Sequence, residues 1–196
     1  MNVVKTTEYQ YMPFIVKELE DHVGGVSVAL TDLRTDVGVV PPGAFIGIDT
    51  DGKGHVLKSA ALLADAANNA TTYRIGKTHQ FKVGLFVTSK DKASVKAYAI
   101  TGIDTTNAAY DTVTVGTTLG VALAVGDNLI EVKAEDAVGG AGELMYSPVG
   151  ISKREIITTG STASVGVLVR GTVNVANMAF GAPKAFKDAL PLIRFV

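Results

Sequence analysis

The chain of 196 residues is long enough to bury a core as one domain, or as one domain with a smaller appended element, and too short for two large domains. Its 18 Lys and Arg nearly balance 19 Asp and Glu, which disfavours nucleic-acid binding, and the lack of cysteine excludes disulfides, thiolate zinc sites and cysteine nucleophiles. Because 47% of the residues are hydrophobic and only 19% are charged, we expect a partner to cover part of the apolar surface.

No segment contains the run of about 18 to 20 apolar residues that a membrane-spanning helix needs. The longest uncharged run, residues 112–126, is interrupted by Thr and Gly. Glu8 and Tyr9 lie where a signal peptide would carry its apolar stretch. The sequence therefore predicts a protein made in the cytoplasm, with no membrane partner.

Residues 1–40 show no clear periodicity, since Val, Thr, Tyr and Phe are scattered through them. The segment "HVGGV" at 22–26 predicts a flexible joint. We interpret residues 1–40 as an extended N-terminal arm or attachment segment, and residues 41–196 as a β-rich domain.

The first half of that domain alternates between strand and turn patterns. "PPGAFIGIDTDGKGHVLKSA" has apolar runs on both sides of an Asp/Gly-rich connection at 51–54, which predicts a hairpin. "LLADAANNATTY" is rich in alanine and predicts one or two helical turns. "HQFKVGLFVT" and "SVKAYAITGI" are then predicted to be strands.

Further strands follow a turn at 107–111. "TVTVGTTLGVALAVGDNLIEV" is rich in β-branched residues, with glycines at points where a sheet bends. In "VGVLVRGTVNVANM" (165–178), Val165, Val167, Val169 and alternate residues beyond them share one face, which predicts a strand with one buried side. The tail "APKAFKDALPLIRFV" predicts one short helix, with Pro183 in its first turn and Pro191 beyond its end.

About eight short strands with Gly-rich turns indicate an all-β, or β-dominated, fold. We predict a compact domain resembling a β-barrel or β-sandwich, with one or two short helices and the N-terminal arm.

Three short motifs approach known site patterns without completing them. "IGKTH" (75–79) ends like a phosphate-binding loop, but Thr71 replaces the required glycine and a strand pattern follows. "DTDGKG" (49–54) opens like a calcium loop, but Lys53 and Ala60 stand where oxygen ligands belong, so a hairpin turn is favoured. "GVSVA" (25–29) lacks the final glycine of a nucleophile elbow.

The titratable residues do not single out an active site either. His22, His55 and His79 lie among polar or turn residues, which predicts solvated or singly hydrogen-bonded imidazoles. Asp104 and Asp111 have neighbours typical of turns. We therefore assign no catalytic, cofactor-binding or metal-ligating residue, expect no cofactor, and expect a protein that is not an enzyme.

Four segments together resemble the small head proteins of tailed bacteriophages, namely head decoration, auxiliary capsid and head fibre proteins. They are "PPGAFIGIDTDGKGHVLKSA", "FKVGLFVTS", "AYAITGIDTTNAAYDTVTVGTTLGVALAVGD" and "SVGVLVRGTVNVANMAFGAPKAFKDALPLIRFV", so the resemblance covers residues 40–196. It implies a virion structural protein that binds the outside of the head and stabilises the lattice of the major capsid protein. It further implies self-association, with trimers among the forms, and a connection to a head fibre in some members.

The arm supplies the candidate capsid contacts. Tyr9, Tyr11, Phe14 and Ile15 are the candidates, because the binding energy of interfaces concentrates in buried aromatic residues. The alternative for these side chains is packing on the protein's own core. The alternative function is a carbohydrate- or host-surface-binding β-module of a phage fibre, which would need exposed aromatic side chains.

Overall fold

The computed structural model of the chain describes residues 12–89, 94–140 and 142–196. Strands dominate these residues, so the all-β prediction is confirmed. In the described ranges there are one short α-helix, α1 (Lys184–Asp188), and one 3₁₀-helix, Val175–Asn177. The strands in the same ranges are β1 (Ile15–Asp21), β2 (Val26–Ala29), β3 (Val39–Val40), β4 (Phe45–Ile48), β5 (Gly54–Val56), β6 (Ser59–Ala61), β7 (Thr72–Ile75), β8 (Phe86–Thr88), β9 (Tyr98–Asp104), β10 (Asp111–Val115), β11 (Asn128–Val132), β12 (Ser147–Ser152), β13 (Ile156–Ile157), β14 (Thr162–Val165), β15 (Val167–Val173) and β16 (Ile193–Phe195).

Eight strands from the two ends of the chain form sheet I, in the order β1-β15-β12-β4-β5-β2-β14, with β16 paired to β15 as well. Its pairings are antiparallel except for β2 with β5 and β15 with β16. Phe45 and Leu168 belong to one apolar cluster, whereas their neighbours Ile46 and Val167 belong to another. Because successive side chains of a strand point to opposite faces, sheet I is covered by apolar core on both faces at β4 and β15.

The middle of the chain forms sheet II, in the order β6-β11-β8-β9-β10-β7. The sheet curls until its end strands meet. Leu62, directly after β6, forms a bridge with Ile75 of β7, and the Leu63 N–H donates to the Arg74 carbonyl at 2.9 Å. The curled sheet holds a third apolar cluster, which includes the fully buried Tyr73, Phe81, Ile100 and Leu129.

The hairpin predicted around 51–54 is confirmed, and it joins β4 to β5. Asp49 Oδ1 accepts hydrogen bonds from the backbone N–H groups of Asp51 and Lys53, each at 2.9 Å. Gly52 has a φ of +79°, the left-handed conformation that such a turn requires. The carboxylate that opens the calcium-like motif therefore builds the turn.

The helical turn predicted at 62–73 is wrong. Ala66 lies in an extended segment there, and its N–H and C=O pair with Leu123 at 2.8 and 2.9 Å. The alanines have helical propensity, but that propensity is weak compared with the pairing that sheet II offers. The strand predicted over 79–88 is confined to β8, because a turn precedes it.

The structure does not confirm a long N-terminal arm. Within the predicted arm, β1 pairs with β15, β2 lies between β5 and β14, and β3 pairs with β13, so residues 12–40 belong to the fold. The predicted flexible joint is a tight turn, since Gly24 and Gly25 both have positive φ and the Gly25 N–H donates to the His22 carbonyl at 3.0 Å. Residues 1–11 lie outside the described residues.

The C-terminal segment strengthens sheet I. Its alternating stretch is divided between β14 and β15, and Leu168 is fully buried although the pattern predicted one buried face, because both faces of the sheet are covered. The predicted tail helix is present as α1, directly after Pro183. Its Phe186 ring packs 5.1 Å from that of Phe45, and β16 then pairs in parallel with β15.

Candidate functional site

A buried cluster of charged side chains lies between the two sheets. Arg34 belongs to the loop that follows β2, residues 30–38, which we call the bridging loop; His79 follows β7, and Asp111 begins β10. His79 Nε2 is 3.0 Å from Asp111 Oδ2, and Arg34 Nη1 is 3.2 Å from the same oxygen. Lys77 Nζ is 2.7 Å from Asp111 Oδ1. We call these four residues the Asp111 network.

The hydrogen bonds of His79 determine its tautomer. The Phe81 N–H donates to His79 Nδ1 at 3.1 Å, so Nδ1 carries no proton. In the neutral ring the proton is then on Nε2, which lies 3.0 Å from Asp111 Oδ2 and 2.7 Å from Arg34 Nη1. Of these two neighbours only the carboxylate can accept that proton, because a guanidinium has no acceptor. Burial, followed by the charge of Arg34, lowers the pKa of His79 from 6.5 to about 4. His79 is therefore neutral at pH 7.

The opposite charges around His79 stabilise each other. Burial would raise the pKa of Asp111, but the Lys77 ammonium and the Arg34 guanidinium outweigh it and the pKa is lowered. The pKa of Arg34 is raised, chiefly by its hydrogen bonds to the carboxylate of Asp36. The side chains of His79 and Asp111 are both 0% exposed. The network therefore fastens the bridging loop to sheet II, and its two central groups are screened from solvent.

A second polar cluster includes Asp32, which also belongs to the bridging loop. His55 Nε2 is 3.0 Å from Asp49 Oδ2, and the imidazole stacks on the ring of Tyr146 with centroids 4.1 Å apart. The nearly buried Lys58 Nζ is 2.9 Å from Glu131 Oε2 of β11. Asp32 of the bridging loop lies 3.5 Å from both Lys58 Nζ and His55 Nδ1. This cluster, which we call the Lys58 network, connects sheet I to sheet II.

The pKa of Tyr146 is shifted by these surroundings. Burial raises its pKa, and the negative charges of Asp32, Glu131 and Asp49 raise it further. The Tyr146 hydroxyl is therefore neutral at pH 7, and its ring covers one face of the His55 imidazole. In the Lys58 network the carboxylates of Asp32, Asp49 and Glu131 face Lys58 and His55, and the buried Asp32 Oδ1 has no hydrogen-bond partner among the described residues. The ion pair between Lys58 and Glu131 compensates the two most buried charges of the network.

The sequence did not predict either network. The interpretation of His55 and His79 as solvated or singly bonded imidazoles is wrong, because both are buried and each has several polar partners. His22 is half-buried, and its Nδ1 has no hydrogen-bond partner among the described residues. Lys77, the lysine of the phosphate-loop-like motif, binds Asp111 and the carbonyl of Thr105. The partners are 32 to 77 residues apart in the Asp111 network, so no local spacing could have signalled them.

The candidate capsid contacts divide into two groups. Tyr9 and Tyr11 lie outside the described residues. Phe14 is only 4% exposed and belongs to the apolar cluster of sheet I, while Ile15 is half-buried against the same cluster. Packing on the protein's own core, the alternative stated above, describes the position of both Phe14 and Ile15.

The side chains that are exposed near this end of the chain lie on β1. It forms one end of sheet I, and its residues 16–20 are all exposed. Val16 and Leu19 are 64% and 56% exposed. Sequence reasoning missed them, because the charged residues around them made the segment resemble a solvated surface.

Comparisons with known proteins add no identification, since no protein-family model, curated protein or solved structure matches the chain. In the described ranges, no group of three or more His, Asp or Glu side chains is arranged to hold a metal ion. The same ranges contain no helix with the length and hydropathy needed to cross a membrane.

Proposed function

We propose that this protein is a virion structural protein that binds the outer surface of a tailed-phage head and stabilises the lattice of the major capsid protein. The resemblance of residues 40–196 to phage head proteins supports the phage head as the place where this protein acts. The observation that carries the proposal is the open outer edge of β1, which offers a binding surface made of backbone and aliphatic side chains.

An end strand is a natural docking site for an extended chain. β1 has seven residues, and only one of its edges is paired, with β15, among the described residues. The other edge presents backbone N–H and C=O groups that a strand from another protein can complete. Val16 and Leu19 would lose their exposure to water when that strand is added. A capsid subunit with an extended surface segment fits this requirement.

The charges of β1 favour a different protein over a second copy of this chain. Glu18, Glu20 and Asp21 outnumber Lys17 on the strand, so pairing of two β1 strands would bring like charges together. Register irregularities at three points of the β1–β15 pairing also twist the edge away from regular self-pairing. Lys153, which directly follows β12 of the same chain, forms ion pairs with Glu18 and Asp21. We expect the capsid strand to bring aliphatic side chains to Val16 and Leu19.

The test is co-sedimentation with expanded heads of a phage that encodes this chain, prepared without the protein. We expect saturable, stoichiometric binding by the wild-type protein. The double variant Val16→Glu/Leu19→Glu should bind at least about tenfold more weakly, because two charges would replace two aliphatic contacts at the interface.

The matched control is Val83→Glu/Val138→Glu, which changes the charge equally at two exposed valines outside β1. This control should bind as the wild type does. Failure of the wild-type protein to bind any head would refute the proposed function. Full binding by Val16→Glu/Leu19→Glu would refute the assignment of the interface to β1 and leave the capsid role to be mapped to another surface. Sedimentation velocity of the free protein would show whether it self-associates as a trimer.

A further inference from the structure

A groove of about 440 Å³ lies on sheet II, where β7 pairs with β10. Its volume falls within the range of about 300 to 1,000 Å³ that is usual for small-molecule sites. Its lining combines small side chains, among them Ala66, with charged, aromatic and hydroxyl-bearing side chains. Neither buried network lines this groove.

One wall combines a cation, an aromatic ring and hydroxyl groups. Arg74 and Thr112 are directly opposite each other in the β7–β10 register, and Thr72 lies two residues from Arg74 on the same side of β7. The guanidinium carbon of Arg74 lies over the ring of Tyr110, 5.0 Å from its centroid. Arg74 is exposed, and its side chain has no carboxylate partner among the described residues. Its donors are therefore available to a ligand.

The segment 64–67, which also lines the groove, supplies a carboxylate. Asp65 lies in the segment 64–67, and its Oδ1 accepts a hydrogen bond from the Val125 N–H at 2.8 Å. This hydrogen bond restrains the Asp65 side chain. A groove with one arginine and one aspartate has no excess of positive charge, which disfavours a polyphosphate or a nucleic-acid strand.

The buried Asp111 network holds the Arg74 wall in place. Tyr110 immediately precedes Asp111, whose carboxylate is bound by Arg34, His79 and Lys77 behind the strand. The start of β10 is thereby fixed, and so is the ring on which Arg74 rests. Binding at a preorganised wall loses little conformational entropy.

We propose that this groove binds an acidic saccharide unit, that is, a sugar ring that carries a carboxylate. The guanidinium of Arg74 suits a carboxylate because it can donate two parallel hydrogen bonds. The hydroxyls of Thr72 and Thr112 and the carboxylate of Asp65 suit the hydroxyl groups of the sugar. The alanines of the lining offer apolar surface to the C–H face of the ring, while the Tyr110 ring supports the guanidinium of Arg74. This site is on sheet II and is independent of the capsid contact proposed for β1.

The first experiment applies the full-length protein to an array of acidic and neutral glycans. We expect binding to glycans that end in a hexuronate or a sialic acid and no binding to the matched neutral glycans. Isothermal titration with the strongest acidic glycan and its neutral counterpart then gives affinities. The absence of acidic-glycan binding, or equal binding of the neutral counterpart, would overturn the proposal.

Variants then assign the site. Arg74→Ala should weaken binding of the acidic glycan at least about tenfold, whereas Arg74→Lys, which keeps the charge but loses the paired donors, should retain part of it. Arg170→Ala is the matched control, because Arg170 is an exposed arginine on a strand of sheet I. Unchanged affinity in Arg74→Ala would also overturn the proposal. Head binding by Arg74→Ala should equal that of the wild type, so a failed capsid role and a failed saccharide site give different results.

Discussion

The neutral, buried His79 should make the protein lose stability as the solution becomes mildly acidic. In the unfolded chain a histidine has a pKa near 6.5, while burial and the charge of Arg34 lower the pKa of folded His79 to about 4. Between these values the unfolded chain binds a proton that the folded protein does not bind. Protonation therefore favours unfolding as the pH falls through this window, and the stabilisation is fully present above it.

The expected magnitude follows from the two pKa values. The difference between 6.5 and about 4 corresponds to about 3 kcal/mol over the whole window. About 2 kcal/mol of this should be lost between pH 7 and pH 4.5. The carboxylates with lowered pKa values, such as Asp111, lose their contribution mainly at lower pH, because they titrate from an ordinary value of 3.8 downward.

The assay is urea unfolding followed by far-UV circular dichroism at several pH values from 7 to 4.5, for the wild type and for His79→Gln. The variant should be less stable at pH 7, because its side chain cannot reproduce both the hydrogen bond to Asp111 and the one from the Phe81 N–H. Its free energy of unfolding should change with pH about 2 kcal/mol less than that of the wild type. An NMR titration of the three histidine rings should place one pKa near 4.

Equal pH dependence of the wild type and His79→Gln would refute this reasoning. So would an imidazole resonance assigned to His79 that titrates near its ordinary value of 6.5. Either result would mean that burial and the charge of Arg34 do not lower the pKa of His79 in the folded protein, and that water reaches the ring.

Three further predictions test the interior by urea unfolding or thermal melting. Asp111→Asn should destabilise the protein by about 3 kcal/mol, since it removes the shared charge partner of Arg34 and Lys77. Lys77→Ala should cost less than about 1 kcal/mol, because Lys77 is partly exposed. Equal losses of stability in the two variants would contradict the Asp111 network. Phe186→Ala should cost about 3 to 5 kcal/mol, because the ring is 1% exposed and packs on Phe45; a loss under about 1 kcal/mol would show that α1 is not part of the core. Gly150→Ala should cost about 2 kcal/mol or more, since a Cβ there would lie 2.5 Å from the Leu168 carbonyl oxygen and from Val167 Cγ1. The control Gly102→Ala, in open space on β9, should change stability by less than about 1 kcal/mol, and similar effects of the two glycine changes would contradict the close strand contact.

The predictions that succeeded depend on local patterns. The Asp/Gly-rich connection at 51–54 forms its hairpin because the Asp49 carboxylate closes the turn within five residues. The alternation around Val165 and Val167 marks real strands for the same reason, since side-chain direction in a strand is set by neighbouring residues. Such features require no knowledge of the distant chain.

The predictions that failed depend on distant partners. Ala66 is extended because it pairs with Leu123, which lies 57 residues further along the sequence. The helical propensity of alanine is a local property and contains no information about such a distant partner. Residues 12–40 looked like an arm because their partner strands, β15, β14 and β13, lie near the other end of the chain. The same applies to the polar interior, since Lys58 and Glu131 become a pair only after sheets I and II have formed.

The two buried networks explain how a chain with few charges can still specify one arrangement of its sheets. The bridging loop contributes Arg34 to the Asp111 network and Asp32 to the Lys58 network, so it is bound on both sides. Apolar packing tolerates many relative positions, whereas a buried carboxylate with two cationic partners tolerates very few. The ionisable groups of the interior therefore fix how the two sheets and the bridging loop lie against each other. The two surfaces proposed for binding, β1 and the Arg74 groove, lie on different sheets, so we expect a substitution in one to leave the other unchanged.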